Sequence, residues 1–267
     1  MTRRLQDLRL VITGASAGIG AALARQAHAA GCQLVLAARR RDRLEALNAE
    51  LGGRHLVVEA DVAIPADCER LIATAASRGR IDVLVCNAGY GLARPVATTT
   101  AADWDAIWRT NVLGSVDCIR AALPHLHGQE LQDGWRGQIM LVSSILARRA
   151  RALGAAYSAT KAAQLSIAEA LRVELREARI AVTSVHPVGT DSEFVVAAGK
   201  VGGTPWPVTK AEPRQTSEQV AKAMLAGIRR PRPEVWPLWW SRYAVGLATL
   251  MPGVVDRVMA RTFTKPR

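Results

Sequence analysis

The sequence predicts an α/β fold, a single doubly wound parallel sheet with helices on both faces. Three observations predict it. Short apolar runs alternate with longer helical stretches, which is the pattern of βαβ units. Most of those runs are continuously apolar, as expected of strands covered on both sides. The first run leads straight into a glycine-rich turn that opens a helix.

Candidate strands are Leu8–Thr13, Gln33–Ala38, His55–Ala60, Val83–Cys86, Gly137–Val142 and Ala181–His186, with a last short one at Glu234–Trp236. Between them, Ile19–Ala30 reads as a helix closed by Gly31, and Arg41–Leu51 as one closed by Gly52-Gly53. A long helix runs from Tyr157 to about Ala178, and another from a Thr216-Ser217 cap to Arg229. Phe194–Pro213, with Gly202-Gly203-Thr204-Pro205, reads as a loop-rich lid. Ligands in such a fold sit at the carboxyl ends of the strands.

The 267 residues suit one domain, here 1–236, followed by a basic, aromatic tail, 237–267. The four cysteines stand singly in apolar surroundings, without metal spacing, which suits a reducing compartment. Met1–Asp7 is charged and has no apolar core of the kind a secretory signal needs, so the expected location is cytoplasmic, with a peripheral membrane contact left open. The net charge of +12 is uneven: residues 228–267 hold eight basic and two acidic residues. No basic stripe interleaves with aromatics, so nucleic acid is not an expected partner.

Thr13-Gly14-Ala15-Ser16-Ala17-Gly18-Ile19-Gly20 lies where a strand ends and a helix begins. Glycines there allow a tight turn and close approach of a pyrophosphate, whose charge the helix N-terminus favours. An NAD site usually places a carboxylate about 20 residues further on, for the ribose 2′-hydroxyl. This chain has Arg39-Arg40-Arg41 instead, and a guanidinium pairs with a 2′-phosphate. NADP(H) is therefore favoured over NAD(H), the alternative being a solvated basic start to a helix.

Tyr157 and Lys161, four apart, share a helix face. A lysine cation beside the phenol favours the phenolate and lowers its ordinary pKa of about 10. Ser144 lies just past the strand ending at Val142, at the carboxyl edge of the sheet, where its hydroxyl either bonds a substrate oxygen or belongs to an ordinary loop serine. Asn111 is an unfavourable mid-helix residue unless it has a special task.

Together these residues resemble the short-chain dehydrogenase/reductase family, from about Leu8 to Ser192. The motifs are Thr13-Gly14-x3-Gly18-x-Gly20, Asp61-Val62, Asn87-Ala88-Gly89, Asn111, Ser144 and Tyr157-x3-Lys161, all in order. The resemblance implies a Rossmann-like sheet of about seven strands, a nicotinamide cofactor, a carbonyl or alcohol substrate, and a homodimer or homotetramer. It implies a catalytic tetrad of Asn111, Ser144, Tyr157 and Lys161, with Asn111 anchoring a relay water and Lys161 also binding the nicotinamide ribose. Cofactor contacts are expected from Gly14, Ser16, Gly18, Ile19, Gly20, Arg39, Arg40, Asp61, Val62, Asn87, Ala88, Gly89, Tyr157, Lys161, Val188, Thr190 and Ser192. The family's Pro-Gly appears here as Pro187-Val188-Gly189-Thr190, and Gln129–Trp135 looks inserted.

Tyr90, Ile145, Leu146, Val188 and Phe194 are expected pocket walls, which suits an apolar ketone or acyl chain. Arg148, Arg149 and Arg151 either meet an anionic group of the substrate or form a solvated loop. A non-catalytic NADPH-binding regulator is the rival reading. In the tail, Trp236, Trp239, Trp240 and Tyr243 stand among arginines. Beyond Pro252-Gly253, Val254, Val255, Val258, Met259, Thr262 and Phe263 share a helical face. Such a face lies in an anionic membrane interface or packs on protein.

Overall fold

In the computed structural model, which describes residues 2–191, 193–206 and 213–263, seven parallel strands form one sheet. In chain order the strands are β1 Arg9–Thr13, β2 Gln33–Ala38, β3 Leu56–Glu59, β4 Val83–Cys86, β5 Gly137–Val142 and β6 Ile180–Val185. The two-strand β7 Gly189–Asp191 and β8 Arg214–Thr216 pair with each other, and β9 Glu234–Val235 closes the main sheet. The spatial order β3-β2-β1-β4-β5-β6-β9 reverses direction between β1 and β4, which opens a crevice at their carboxyl ends.

Alternation along each strand divides the core. Leu10 and Ile12 of β1 face one layer, built by α1 Gly18–Ala29, α2 Arg41–Glu50 and α8 Ser217–Arg229. Val11 faces the other layer, built by α3 Pro65–Ala76, α5 Gly114–Gly128 and α6 Ala155–Glu174. Both faces of the sheet are covered, so the strands are mostly apolar, with Gln138, Thr183 and Ser184 the buried polar exceptions of β5 and β6.

Local signals place the helix ends. Gly31 (φ +83°) and Gly52 (φ +82°) adopt the left-handed conformation that terminates the first two helices. Thr216 and Gln219 exchange side-chain-to-backbone bonds of 3.2 and 3.0 Å in a capping box at the start of α8. Helix α4, Ala101–Trp108, runs into α5 through a π-helical turn at Arg109–Leu113.

The stretch expected to be a lid loop is helical over its first half: α7 spans Glu193–Gly202 and ends at Gly203 (φ +69°). The Gly-Gly-Thr-Pro cluster marks that terminus rather than an open loop, and residues 207–212 lie outside the described residues. The tail forms two helices, α9 Ser241–Leu250 and α10 Pro252–Phe263. Its expected single apolar face is split, because Val255 and Met259 turn partly inward while Val254 and Val258 are exposed. No helix among the described residues is long and apolar enough to cross a membrane.

Candidate active site

One cavity of about 550 Å³ occupies the crevice, running from the glycine turn to the α7 side of the sheet. At one end β1 stops at Thr13 and the chain turns through Gly14 (φ +66°) and Gly18 (φ +54°). A Cβ on Gly14 would stand 2.9 Å from Ala88 Cα, and one on Gly20 would stand 2.4 Å from the Gly14 carbonyl oxygen. Gly14, Ser16, Gly18 and Ile19 line the cavity; Gly20 stands behind the turn and lets the helix close on it. The N-terminus of α1 carries neither a side-chain cap nor an acidic residue, so its N–H groups remain available for an anion.

Thr13 and Asn87 tie the two strands that flank the reversal, a pairing sequence spacing did not reveal. Thr13 Oγ1 donates to the Val85 carbonyl (3.2 Å) and accepts from the N–H groups of Asn87 (3.0 Å) and Ala88 (3.1 Å). Asn87 Nδ2 donates back to the carbonyls of Thr13 and Gly14 at 2.9 and 3.2 Å. Asn87, Ala88 and Gly89 thereby form the floor of the cavity.

Past β2, Arg39 and Arg40 border the same end. Arg40 donates to Ser16 Oγ at 3.2 Å, and the exposed Arg39 guanidinium stands 3.9 Å from the Asp61 carboxylate. Asp61 and Val62 form the wall facing them, with Asp61 Oδ1 held by the Ala63 N–H (3.0 Å). The glycine turn and the uncapped helix end together fit the pyrophosphate of a dinucleotide.

At the other end Ser144 caps a short 3₁₀ turn, Ile145–Ala147, its Oγ accepting from the Leu146 N–H at 3.1 Å. Helix α6 presents Tyr157 and Lys161 across from it, both lining the cavity and both almost wholly buried. Lys161 Nζ stands 5.5 Å from the Tyr157 ring centroid and donates to the Val142 carbonyl (2.7 Å) and Gln164 Oε1 (2.8 Å).

The protonation of this pair departs from expectation. Burial pushes the Tyr157 phenol above its ordinary value, and its hydrogen bond with Ser144 pulls it only partly back. Burial also lowers Lys161 to about 7. Both groups have left water, and that loss outweighs the attraction between ammonium and phenolate. The phenol therefore holds its proton at neutral pH.

The depressed lysine has a consequence for stability. Between about pH 7 and the unfolded value of roughly 10.4, the unfolded chain holds one proton more, so this group's contribution to the unfolding free energy rises with pH. From pH 7 to 9 the cofactor-free wild type should gain stability relative to Lys161→Met, by up to about 1.4 kcal/mol per pH unit. Urea unfolding of the two chains checks this, and parallel pH profiles would contradict it.

Asn111 is placed differently from the other three. It lies in the π turn, fully buried and off the cavity wall. Its side chain accepts from the Tyr90 N–H and donates to the Tyr90 carbonyl, both at 3.0 Å, and donates to Thr160 Oγ1 at 3.1 Å. Its carbonyl accepts from Gln164 Nε2 at 2.6 Å. Gln164 also donates to Ser115 Oγ (3.0 Å), so its amide joins Lys161 directly to the Asn111 turn. The sequence signal for Gln164 was its position three residues after Lys161, on the same helix face. His186 went unnoticed as well: its Nδ1 lies 3.3 Å from the Ser144 carbonyl and its ring stacks on Trp236 at 4.3 Å. Burial lowers it to about 4, so it is neutral in this role.

Val188 and Thr190 line the cavity, Thr190 Oγ1 donating to the Val188 carbonyl at 3.0 Å; Ser192 lies outside the described residues. Of the expected walls, Tyr90, Ile145, Leu146, Val188 and Phe194 all line it. Phe194 and Trp206 pack on the Tyr157 ring at 5.2 and 5.5 Å between centroids. The three arginines part company: Arg148 pairs with Glu234 and Arg149 with Asp256, both from the C-terminal region. Arg151 alone lines the cavity, 5.8 Å from the Trp206 ring centroid. Met259 of α10 completes the wall.

Comparison with known proteins agrees with this geometry. The family model described as short chain dehydrogenase matches residues 9–200. The chain is 31% identical over 265 residues to the uncharacterized oxidoreductase YxnA of Bacillus subtilis, covering 97% of this chain and 73% of that one. It is also 31% identical over 279 residues to mouse dehydrogenase/reductase SDR family member 7B, covering 98% and 83%. Among solved structures, a short chain dehydrogenase/reductase from Burkholderia phymatum in complex with NAD superposes with a TM-score of 0.82 at 22% identity, over 94% of this chain and 96% of that one. One from Sphingobium yanoikuyae in complex with NADPH does so with a TM-score of 0.76 at 27% identity, over 93% and 95%.

Proposed function

Since this chain belongs to the short-chain dehydrogenase family of oxidoreductases, we propose that it is an NADP(H)-dependent reductase of apolar carbonyl compounds. The observation that carries this reading is the buried Ser144–Tyr157–Lys161 group in the same cavity as the glycine turn. The dinucleotide, when bound, supplies the hydride. Ser144 bonds the carbonyl oxygen, Tyr157 Oη delivers its proton to that oxygen, and Lys161 holds the site's charge and geometry. Oxidation of the alcohol is the reverse.

Arg39 and Arg40 support NADP over NAD, because both border the end of the cavity and stand directly after β2, where an NAD site usually has a carboxylate. Phe194, Trp206, Leu146 and Met259 support an apolar substrate. Against a non-catalytic NADPH binder stands the complete Ser–Tyr–Lys set, kept in a cavity with room for a substrate. Consumption of NADPH and NADH with a panel of ketones and aldehydes tests the reading. Turnover of apolar ketones, faster with NADPH, is expected; tight NADPH binding with no turnover of any carbonyl would favour the regulator.

A further inference from the structure

Eight of the fourteen exposed large apolar side chains among the described residues fall between 239 and 258. Trp239, Tyr243, Leu247 and Leu250 follow one another at intervals of three or four and form one stripe along α9, and beyond the Pro252 break Val254 and Val258 are exposed at the same interval on α10. Leu250 is 81% exposed, Trp239 72% and Tyr243 69%, whereas Val245 and Ser241 on the inner side are buried. A helix packed only for its own subunit would present its polar side to water. Here the apolar side is outward.

The charge beside this stripe is positive on balance, with Asp256 the one exposed carboxylate on α9 and α10. Arg242, Arg257 and Arg261 are exposed along it. The two carboxylates of residues 228–267, Glu234 and Asp256, are engaged by Arg148 and Arg149 of the loop after Ser144. An isologous contact between two copies of this face would set arginines against arginines. An anionic bilayer complements it: tryptophan and tyrosine favour the headgroup level, aliphatic side chains enter the acyl boundary, and arginines meet lipid phosphates.

We propose that the outer face of α9 and α10 docks on an anionic lipid surface. Met259, next to the exposed Val258, lines the cavity from the same helix, so α10 separates that surface from the substrate site. This deepens the reductase reading, on which it rests, towards substrates that partition into the bilayer; the docking itself does not depend on it.

Flotation of the full chain with vesicles tests the docking directly. Binding is expected to vesicles of phosphatidylcholine with about a third phosphatidylglycerol, and to weaken at high salt. Phosphatidylcholine alone should bind at least tenfold less. Leu250→Glu with Val254→Glu, at exposed positions, should cost tenfold or more in vesicle affinity with thermal stability unchanged. Arg257→Gln with Arg261→Gln should abolish the preference for anionic vesicles while leaving the fold intact. Absence of binding to anionic vesicles at low salt would overturn the proposal, as would unchanged binding of both double variants. An oligomer that dissociates in Leu250→Glu/Val254→Glu would assign the face to a second copy instead. Since flotation requires no turnover, an inactive chain that binds refutes the reductase reading alone, and an active chain that does not bind refutes the docking alone.

Discussion

Tyr157→Phe is expected to lower kcat by about 10²–10⁴-fold, the range for loss of a positioned proton donor. The ring would remain where it is, packed between Phe194 and Trp206, so the pocket keeps its shape. What disappears is the one proton that burial keeps on the phenol and that the carbonyl oxygen must receive. NADPH affinity should change little, because the variant loses no charge and Lys161 keeps its bonds to the Val142 carbonyl and Gln164. Steady-state turnover together with NADPH titration by fluorescence reads both quantities. More than about a tenth of wild-type kcat in the variant would remove Tyr157 from the role of acid.

Arg39→Asp should reduce NADPH affinity by about ten- to a hundredfold, the equivalent of one charge-assisted bond of roughly 1.5–3 kcal/mol. The new carboxylate supplies a hydroxyl acceptor, so NADH affinity should rise and the preference between cofactors should invert. The Arg39 guanidinium is exposed and only 3.9 Å from Asp61, so removing it leaves no buried charge unpaired and the fold should be unaffected. Arg40 is more firmly placed through its bond to Ser16 Oγ. If Arg39→Asp leaves NADPH affinity unchanged while Arg40→Ala lowers it, the phosphate belongs to Arg40. If neither substitution affects it, the preference for NADP is wrong.

The sheet and one side of the chemistry were legible in the residues alone. Mostly apolar runs located six strands and a seventh short one, because a strand buried on both faces carries few polar residues. The glycine turn was legible because its backbone conformation and close approaches leave room for little else. Tyr157 and Lys161 were legible because four residues on a helix is a local distance. What depends on neighbours far along the chain was not legible. Arg148 and Arg149 looked like a solvated loop or an anion site until Glu234 and Asp256, 86 and 107 residues away, took them. Helix α7 was concealed by the glycines that end it. Gln164 and Asn111 meet only because α6 packs against the π turn. The direction of the Tyr157 shift also belongs to the tertiary structure: four residues of helix bring a cation near a phenol, but only the packed fold removes the water from both, and that removal outweighs their attraction.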